Sequence, residues 1–213
     1  DALPISRLSQ PFGTQPKRLE AERLACMAVH IPLNGARVME IGANTGYFTL
    51  GCLKQGAREV LAYELNPEHA RFVTLAARVL GWAHRLSVRC EAYSPLGEEA
   101  GADPAALCLN LNVLHHLGDD FGAHCPDTAS AKASMLDTLR QTAPSCRRMF
   151  FQMGFNWKGD RHQPLFAGGT KAEMVEFVAG AGDCWRIEAA WAYDPHPAER
   201  AYRPLSGALW QRQ

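Results

Sequence analysis

Residues 37–50, with the sequence RVMEIGANTGYFTL, form a strand-like run, a short polar loop and the start of a helix-like segment. The apolar first part favours a buried strand. Gly42 and Gly46 allow positive φ angles and close approach of a ligand to the backbone, and Asn44 is among the few other residues that tolerate the left-handed region. Thr45 is the predicted N-cap of the helix. The stretch lacks the Gly-Lys-Ser/Thr ending of a P-loop, which argues against a phosphate cradle.

A second strand-to-helix transition follows at residues 59–67, EVLAYELNP. Glu64 ends the predicted strand, and Asn66 with Pro67 predicts the cap and first residue of a helix. Glu64 lies 18 residues after Gly46, close to the spacing of about 20 at which an acid meets a ribose hydroxyl in dinucleotide-binding folds. A carboxylate accepts hydrogen bonds from both hydroxyls of a ribose diol. The sequence therefore predicts a nucleoside-binding acid at this strand end.

Two later segments repeat the pattern of a strand followed by polar residues. Residues 86–92, LSVRCEA, predict a strand that leads to Glu91, and residues 105–112, AALCLNLN, predict a buried central strand that ends at Asn112. In open parallel sheets the ligand lies outside the carboxyl ends of the strands. We therefore expect one cleft to collect the four strand ends.

Helical and strand patterns alternate along most of the chain, which predicts an α/β fold with a doubly wound, mostly parallel sheet and right-handed crossovers. No helical pattern separates the last two predicted strands, so they should form an antiparallel hairpin. The predicted helices are 17–30, 45–55, 67–81, 129–142 and 170–180, and the predicted strands are 36–41, 59–64, 85–90, 105–112, 147–154, 184–192 and 206–211. Thr170 and Glu173 predict a capping box at the last helix.

The segment EIGANTG (residues 40–46) resembles motif I of the class I S-adenosylmethionine-dependent methyltransferases, with Asn44 in place of a loop glycine. The segment LNVLHHL (residues 111–117) resembles motif IV of small-molecule and related methyltransferases. The resemblance runs from about residue 17 to the end and implies a Rossmann-like, seven-stranded sheet with an antiparallel C-terminal hairpin and helices on both faces.

S-adenosylmethionine is the cofactor that this resemblance implies. Glu64 would hold both ribose hydroxyls, Glu91 would meet the adenine amino group, and the backbone near Asn110 and Asn112 would face the methionine end. The full set of implied cofactor-binding residues is Glu40, Gly42, Ala43, Asn44, Gly46, Tyr47, Glu64, Leu65, Glu91, Ala92, Asn110 and Asn112.

Two consecutive histidines follow the fourth predicted strand. Methyl transfer depends mainly on alignment of the reacting groups, but an oxygen nucleophile usually also loses a proton, and histidine is the natural base at neutral pH. His116 is the favoured catalytic base, because His115 should point back toward the helix layer. The alternative is that both histidines only shape the pocket. Asp119 and Asp120 fit a solvated turn better than a magnesium site, so we predict no metal.

Residues 155–166, FNWKGDRHQPLF, form a long loop after a strand that should end at the active site. Its aromatic residue Trp157 and its cations Lys158, Arg161 and His162 are the predicted substrate-binding residues, suited to a sugar ring or a phosphorylated small molecule. The alternative is an ordinary surface loop with Trp157 packed on the core. Residues 1–35 should form a lid and helix, residues 36–213 the core of one domain, and residues 155–169 the substrate loop.

Composition narrows the class of protein. The 213 residues include 22 Lys and Arg against 22 Asp and Glu, so the net charge is zero, which argues against nucleic-acid binding by bulk electrostatics. The seven cysteines are scattered without a C-x-x-C pair, which argues against structural zinc and favours a reduced compartment. With no apolar run of membrane-spanning length and no signal pattern, we expect a cytoplasmic protein.

These observations favour an S-adenosylmethionine-dependent O-methyltransferase acting on a small molecule or a glycan or phosphorylated sugar building block, as in surface-polysaccharide or secondary-metabolite pathways. A tRNA or protein methyltransferase is the first alternative, although no Asn/Asp-Pro-Pro-Tyr/Phe string supports base amino-methylation. A nicotinamide-dependent oxidoreductase is the second, but residues 42–47 lack the full G-x-G-x-x-G loop. A non-catalytic cofactor-binding protein is the third.

Overall fold

The computed structural model describes residues 19–95, 103–194 and 201–205. These residues form two units. The first unit contains residues 19–93, 105–109 and 148–150, and the second contains the remaining described residues. Residues 1–18 of the predicted lid and helix, and the predicted last strand at residues 206–211, lie outside the described residues.

A five-stranded sheet dominates the first unit, in the order β3-β2-β1-β4-β5. Its strands are β1 (Arg37–Ile41), β2 (Glu59–Tyr63), β3 (Leu86–Arg89), β4 (Leu107–Leu111) and β5 (Met149–Gln152). The first residues of β4 and β5 belong to this unit, and their last residues belong to the second unit. β1 pairs with β2, and β2 with β3, in parallel. The direction of winding reverses between β1 and β4, which is the switch point where ligands bind in open α/β sheets.

The apolar runs of the central strands explain their place in the core. Every residue of β1 and β2 after the first is buried, and Val38, Val60 and Leu107 are fully inaccessible to solvent. Strands buried on both faces read as continuous apolar runs rather than alternating ones. Glu40 is the exception within β1, a carboxyl group buried inside this apolar layer.

Three helices accompany the sheet in the first unit, namely α1 (Glu20–His30), α2 (Tyr47–Lys54) and α3 (Pro67–Val79). The predicted cap of α3 is confirmed, because the Asn66 side chain accepts from the N–H groups of Glu68 and His69. The predicted N-cap Thr45 is wrong. Gly46 holds that position with a φ of 77° and no side-chain cap, because the loop enters the helix through a left-handed residue rather than an extended one.

The second unit contains a 3₁₀ turn at Leu114–His116, the helices α4 (Thr128–Thr142) and α5 (Lys171–Ala179), and the strands β6 (Trp191–Asp194) and β7 (Ala201–Pro204). Thr170 and Glu173 form the predicted capping box at α5. Asp127 caps α4 by accepting from the N–H of Ser130. None of the described helices is both long and apolar enough to cross a membrane.

An antiparallel hairpin is present as predicted, but its second strand is Ala201–Pro204 rather than residues 206–211, and the predicted seven-stranded sheet is not confirmed. β6 and β7 pair with each other, with Tyr193 opposite Tyr202, and among the described residues they form a separate two-stranded sheet. The predicted strand 184–192 reduces to β6, since ladder pairing begins only at Trp191. Alternation in a sequence indicates a strand, whereas its partner and register depend on backbone that lies elsewhere in the fold.

Candidate functional site

The loop between β1 and α2 contains three residues with positive φ. Gly42, Asn44 and Gly46 have φ angles of 72°, 52° and 77°, so the left-handed conformation predicted for Asn44 is confirmed. The N–H groups of Gly42 and Ala43 both donate to the carbonyl oxygen of Tyr63, each at 2.9 Å. The last residue of β2 thereby fixes the loop against the carboxyl end of the sheet.

Glu64 joins this loop to the start of α3. Its Oε2 accepts from the N–H of Asn44 at 2.6 Å, and its Oε1 accepts from the N–H of Asn66 at 2.8 Å. The residue is only 8% exposed. An ionised carboxylate has about four acceptor positions. Nδ1 of His69 lies 3.7 Å from Oε1, so acceptor capacity remains mainly on Oε2. The residues therefore fit a ribose diol, whose hydroxyls are donors, and the two backbone bonds hold the carboxylate in one orientation.

Glu40 presents a second acid at the end of β1, but in a different state. It is 3% exposed and accepts a hydrogen bond from Oγ1 of Thr49. Burial raises its pKa to about 8, and the nearby Glu64 adds to the rise, while the bonds from Thr49 oppose it. At neutral pH the Glu40 side chain is therefore mainly a neutral carboxylic acid. Sequence reasoning did not identify Thr49, although its place in the first turn of the helix that follows the loop was a usable signal.

The other predicted cofactor residues of the first unit are less closely tied to the loop. Tyr47 is half-buried at the start of α2, and burial raises the pKa of its hydroxyl, with Glu20 and Glu22 adding to the rise. Leu65 is an exposed apolar residue beside Glu64. Glu91 and Ala92 follow β3 and are exposed. Their proposed contact with adenine stays a prediction.

Asn110 and Asn112 occupy the end of β4 in the second unit. Asn110 is 3% exposed, and its Oδ1 has no hydrogen-bond partner among the described residues. A buried acceptor without a donor costs about 1–3 kcal/mol, which makes this oxygen a candidate contact for a bound ligand. Asn112 is exposed with a φ of 60°, a position where asparagine is tolerated.

The two histidines of the second unit have different environments. His115 is buried, and its Nδ1 accepts from the N–H of Gly154 at 3.1 Å. Burial lowers the pKa of His115 to about 4, His116 lowers it further, and Asp120 opposes them. His116 keeps 31% of its side chain exposed, with its Nδ1 2.7 Å from Oδ2 of Asp120. Of the two rings, His116 is therefore the more exposed and has a carboxylate beside it, and its role as a base stays a prediction.

Residues 155–166 form an ordered loop closed by their own backbone. The N–H of Trp157 donates to the carbonyl of Gln163, and the N–H of Leu165 donates to the carbonyl of Phe155, each at 2.9 Å. Trp157 is 3% exposed and its Nε1 donates to the carbonyl of Leu117 at 2.9 Å. The indole ring therefore packs inside the second unit rather than forming an open platform for a sugar.

The predicted substrate-binding cations lie on this loop. Lys158 has a φ of 61°, its Nζ is 2.9 Å from Oδ1 of Asp119, and it lies 4.2 Å from the centre of the Trp157 ring. Arg161 and His162 are exposed, and their contact with a substrate stays a prediction. Among the described residues, no group of three or more His, Cys, Asp or Glu side chains is placed to hold a metal ion.

Comparison with known proteins supports the fold. No protein-family model matches the chain. A ribosomal RNA small subunit methyltransferase A from Cutibacterium acnes is 33% identical over 117 residues, which cover 50% of this chain and 39% of the relative. A solved structure described as a hemolysin from Streptococcus thermophilus aligns with a TM-score of 0.60 at 14% identity over 86% of this chain and 63% of its own. The [4+2]-cyclase SpnF aligns with a TM-score of 0.51 at 14% identity over 76% of this chain and 57% of its own.

The chain spans less than two thirds of the length of each of these relatives. At such low identity the two structures bear on the fold alone, and one of them is named as a cyclase. Together with the strand order and the loop after β1, the two structures support the expected α/β fold with a mostly parallel sheet. The reaction and its acceptor therefore have to be argued from the site residues themselves.

Proposed function

We propose that the protein is an S-adenosylmethionine-dependent methyltransferase that methylates an oxygen atom of a small molecule or of a glycan or phosphorylated sugar building block. The observation that carries the proposal is the Glu64 carboxylate. It is bonded to the loop after β1 through the N–H of Asn44 and retains acceptor positions for a ribose diol. A surface glutamate would have neither the burial nor the fixed orientation.

The first unit supplies the residues that would hold the cofactor. Glu64 accepts from the ribose hydroxyls, and the backbone at Gly42 and Gly46 permits close approach because neither residue carries a side chain. Glu40 presents a neutral carboxylic acid instead of a second negative charge beside Glu64. When bound, S-adenosylmethionine supplies an electrophilic methyl group.

His116 is the candidate proton acceptor. A hydroxyl acceptor has to lose its proton as its oxygen is methylated, and His116 is a half-exposed imidazole paired with a carboxylate. His115 does not compete for this proton. Its pKa of about 4 keeps its ring neutral, and its Nδ1 already accepts a hydrogen bond from the N–H of Gly154. We assign the base role to His116 and a packing role to His115.

The cations of residues 155–166 favour an acceptor that carries a negative charge. Lys158 is already neutralised by Asp119, whereas Arg161 and His162 are exposed on the same loop. A phosphorylated sugar or a sugar acid would complement these cations. The burial of Trp157 removes the stacking argument, so the charge of the acceptor rather than its ring carries this part of the proposal.

RNA methylation is the second candidate. The observation in its favour is the 33% identity to a protein named as a ribosomal RNA methyltransferase. The zero net charge of the chain is the observation against it, because RNA binding usually rests on an excess of basic residues.

Transfer of labelled methyl from S-adenosylmethionine into separated extract fractions tests the proposal. We expect label in the small-molecule or glycan fraction. Label in RNA instead would support the second candidate, and label in protein would likewise contradict the acceptor class. Competition between S-adenosylhomocysteine and NADH for binding would identify an oxidoreductase, and cofactor binding with no label in any fraction would favour a non-catalytic protein.

Matched variants test the residue roles. Glu64→Gln should weaken binding of S-adenosylhomocysteine by about 10- to 100-fold, the loss of one or two charge-assisted hydrogen bonds. Glu68→Gln, at an exposed acid in the first turn of α3, should bind as the wild type does. His116→Ala should lower turnover about 10²-fold without changing this binding, and His124→Ala, at an exposed histidine of the second unit, is its control.

A further inference from the structure

The adjacent acids Asp119 and Asp120 contact two different basic side chains. Asp119 lies 2.9 Å from Nζ of Lys158, and Asp120 lies 2.7 Å from Nδ1 of His116. Each carboxylate therefore has its own partner, and Lys158 does not compete with His116 for Asp120. The sequence pattern Gly-Asp-Asp suggested only a solvated turn, so this division of roles is a property of the fold.

The turn that carries these acids is held in place on several sides. The N–H of Asp120 donates to the carbonyl of His116 at 3.2 Å, and the N–H of Gly118 donates to the carbonyl of Phe121 at 2.8 Å. Gly118 has a φ of 87°, and a Cβ atom there would lie 2.6 Å from Sγ of Cys125. Only glycine fits this position. The tight turn that Gly118 allows places Asp120 beside His116.

The two histidines have different contacts at Nδ1. His115 accepts from Gly154 at Nδ1, which favours a proton on its Nε2. Nδ1 of His116 is shielded from solvent and lies 2.7 Å from Oδ2 of Asp120. Because an ionised carboxylate can only accept, this contact favours a proton on Nδ1 of His116 and a lone pair on its Nε2.

We propose that Asp120 is a positioning residue that holds His116 as the Nδ1–H tautomer, with Nε2 as the nitrogen that accepts the proton of an acceptor hydroxyl. The inference rests on the proposed function only for the source of that proton. As the hydroxyl proton moves to Nε2, the ring becomes an imidazolium, and its positive charge lies beside the Asp120 carboxylate. An acid that orients and charge-stabilises a histidine in this way is a general device of base catalysis.

The contact between His116 and Asp120 is short but poorly aligned. Nδ1 of His116 and Oδ2 of Asp120 are at hydrogen-bond distance, but an N–H at Nδ1 would not point along the line between the two atoms. Catalytic hydrogen bonds are often poorly aligned without substrate and tighten in the complex. The ring of His115, with its centre 4.3 Å from that of His116, packs against His116 as an uncharged neighbour because its pKa is about 4.

Nitrogen NMR of protein labelled with ¹⁵N in its histidine rings tests the tautomers without any substrate. At a pH above the midpoint of its own titration, His116 should show a protonated Nδ1 and an unprotonated Nε2, and His115 should show the reverse. His116→Gln and His115→Gln assign the signals. A wild-type His116 with its proton on Nε2 would overturn the proposal.

Asp120→Asn and Asp119→Asn form a matched pair that differs only in which adjacent acid loses its charge. The side-chain amide that Asp120→Asn introduces can donate to Nδ1, so this variant should move the His116 proton to Nε2, while Asp119→Asn should leave the tautomer as in the wild type. An unchanged tautomer in Asp120→Asn, or an equal change in both variants, would contradict the assignment to Asp120. Because 59% of the Asp120 side chain is exposed, the substitution should not impair folding.

Turnover separates the positioning role from the proposed function. With labelled methyl as the readout, Asp120→Asn should lower the rate about 10²-fold or more, because a histidine in the wrong tautomer cannot accept the proton, while binding of S-adenosylhomocysteine is unchanged. A normal rate in Asp120→Asn would refute the positioning role. If the wild type transfers no label at all, the proposed function fails, and the NMR result still decides the proton positions.

Discussion

Replacement of Gly46 by alanine tests how tightly the loop after β1 is packed against α3. Gly46 has a φ of 77°, and a Cβ atom there would lie 2.7 and 2.9 Å from the two methyl carbons of Val73, which is fully buried. A left-handed alanine costs about 1–2 kcal/mol, and an extra methyl group in a packed core costs about 1–3 kcal/mol. We therefore expect Gly46→Ala to lower the free energy of unfolding by about 2–5 kcal/mol.

Gly81→Ala is the matched control for backbone strain alone. Gly81 has a φ of 74°, and nothing lies within 4 Å of the position of its Cβ atom, so alanine there should cost only about 1–2 kcal/mol. Urea unfolding of both variants measures the difference. The double variant Gly46→Ala with Val73→Ala should lose less stability than the sum of the two single losses, because the methyl carbons that clash with the new Cβ atom are gone.

Two results would refute this reasoning. An equal loss in Gly46→Ala and Gly81→Ala would show that Val73 moves aside without cost. Strictly additive losses in the double variant would show that Gly46 and Val73 do not interact, since residues in contact normally give a coupling free energy of about 0.5–3 kcal/mol.

Three further predictions concern protonation and packing. The pKa of Glu40 is raised from 4.5 to about 8, so the folded protein holds a proton that the unfolded protein releases in this range. The free energy of unfolding of the wild type should therefore fall as the pH rises from 4.5 to about 8. Urea unfolding at pH 5 and pH 8 should show a smaller fall in Glu40→Gln. The pKa of His115 is lowered from 6.5 to about 4, so the free energy of unfolding should fall as the pH is lowered across that range. The fall should be smaller in His115→Gln. An equal fall in the wild type and in His115→Gln would contradict a buried, neutral His115. Trp157→Phe leaves the carbonyl of Leu117 without its donor and should cost about 1–3 kcal/mol in urea unfolding, whereas no loss would show that water replaces the indole N–H.

Sequence reasoning was accurate where a few neighbouring residues decide the outcome. The cap formed by Asn66 and the box formed by Thr170 and Glu173 follow from side chains that reach backbone N–H groups two or three residues away. It was wrong for Thr45, because Gly46 holds the cap position in the left-handed region, which the residues around Thr45 do not specify.

Strand pairing and loop packing lay beyond the sequence patterns. The sequence predicted a strand at residues 184–192 but not β7, and it did not show that β6 and β7 would pair only with each other among the described residues. The composition of residues 155–166 indicated a functional loop, but the burial of Trp157 depends on a carbonyl 40 residues earlier in the chain.

The chain alone determined the strand-loop-helix unit at residues 37–50 and the acid at the end of β2, because turn conformations and strand runs depend on the residues next to them. Only the tertiary structure decided that Asn44 bonds to Glu64 across 20 residues and that Gly154 bonds to His115 across 39. It likewise decided the protonation of Glu40, because burial raises the pKa of that carboxyl group. Hydrogen bonds and the loss of solvation act through space over a few ångströms, so they depend on which distant segments the fold brings together, and local sequence does not contain that information.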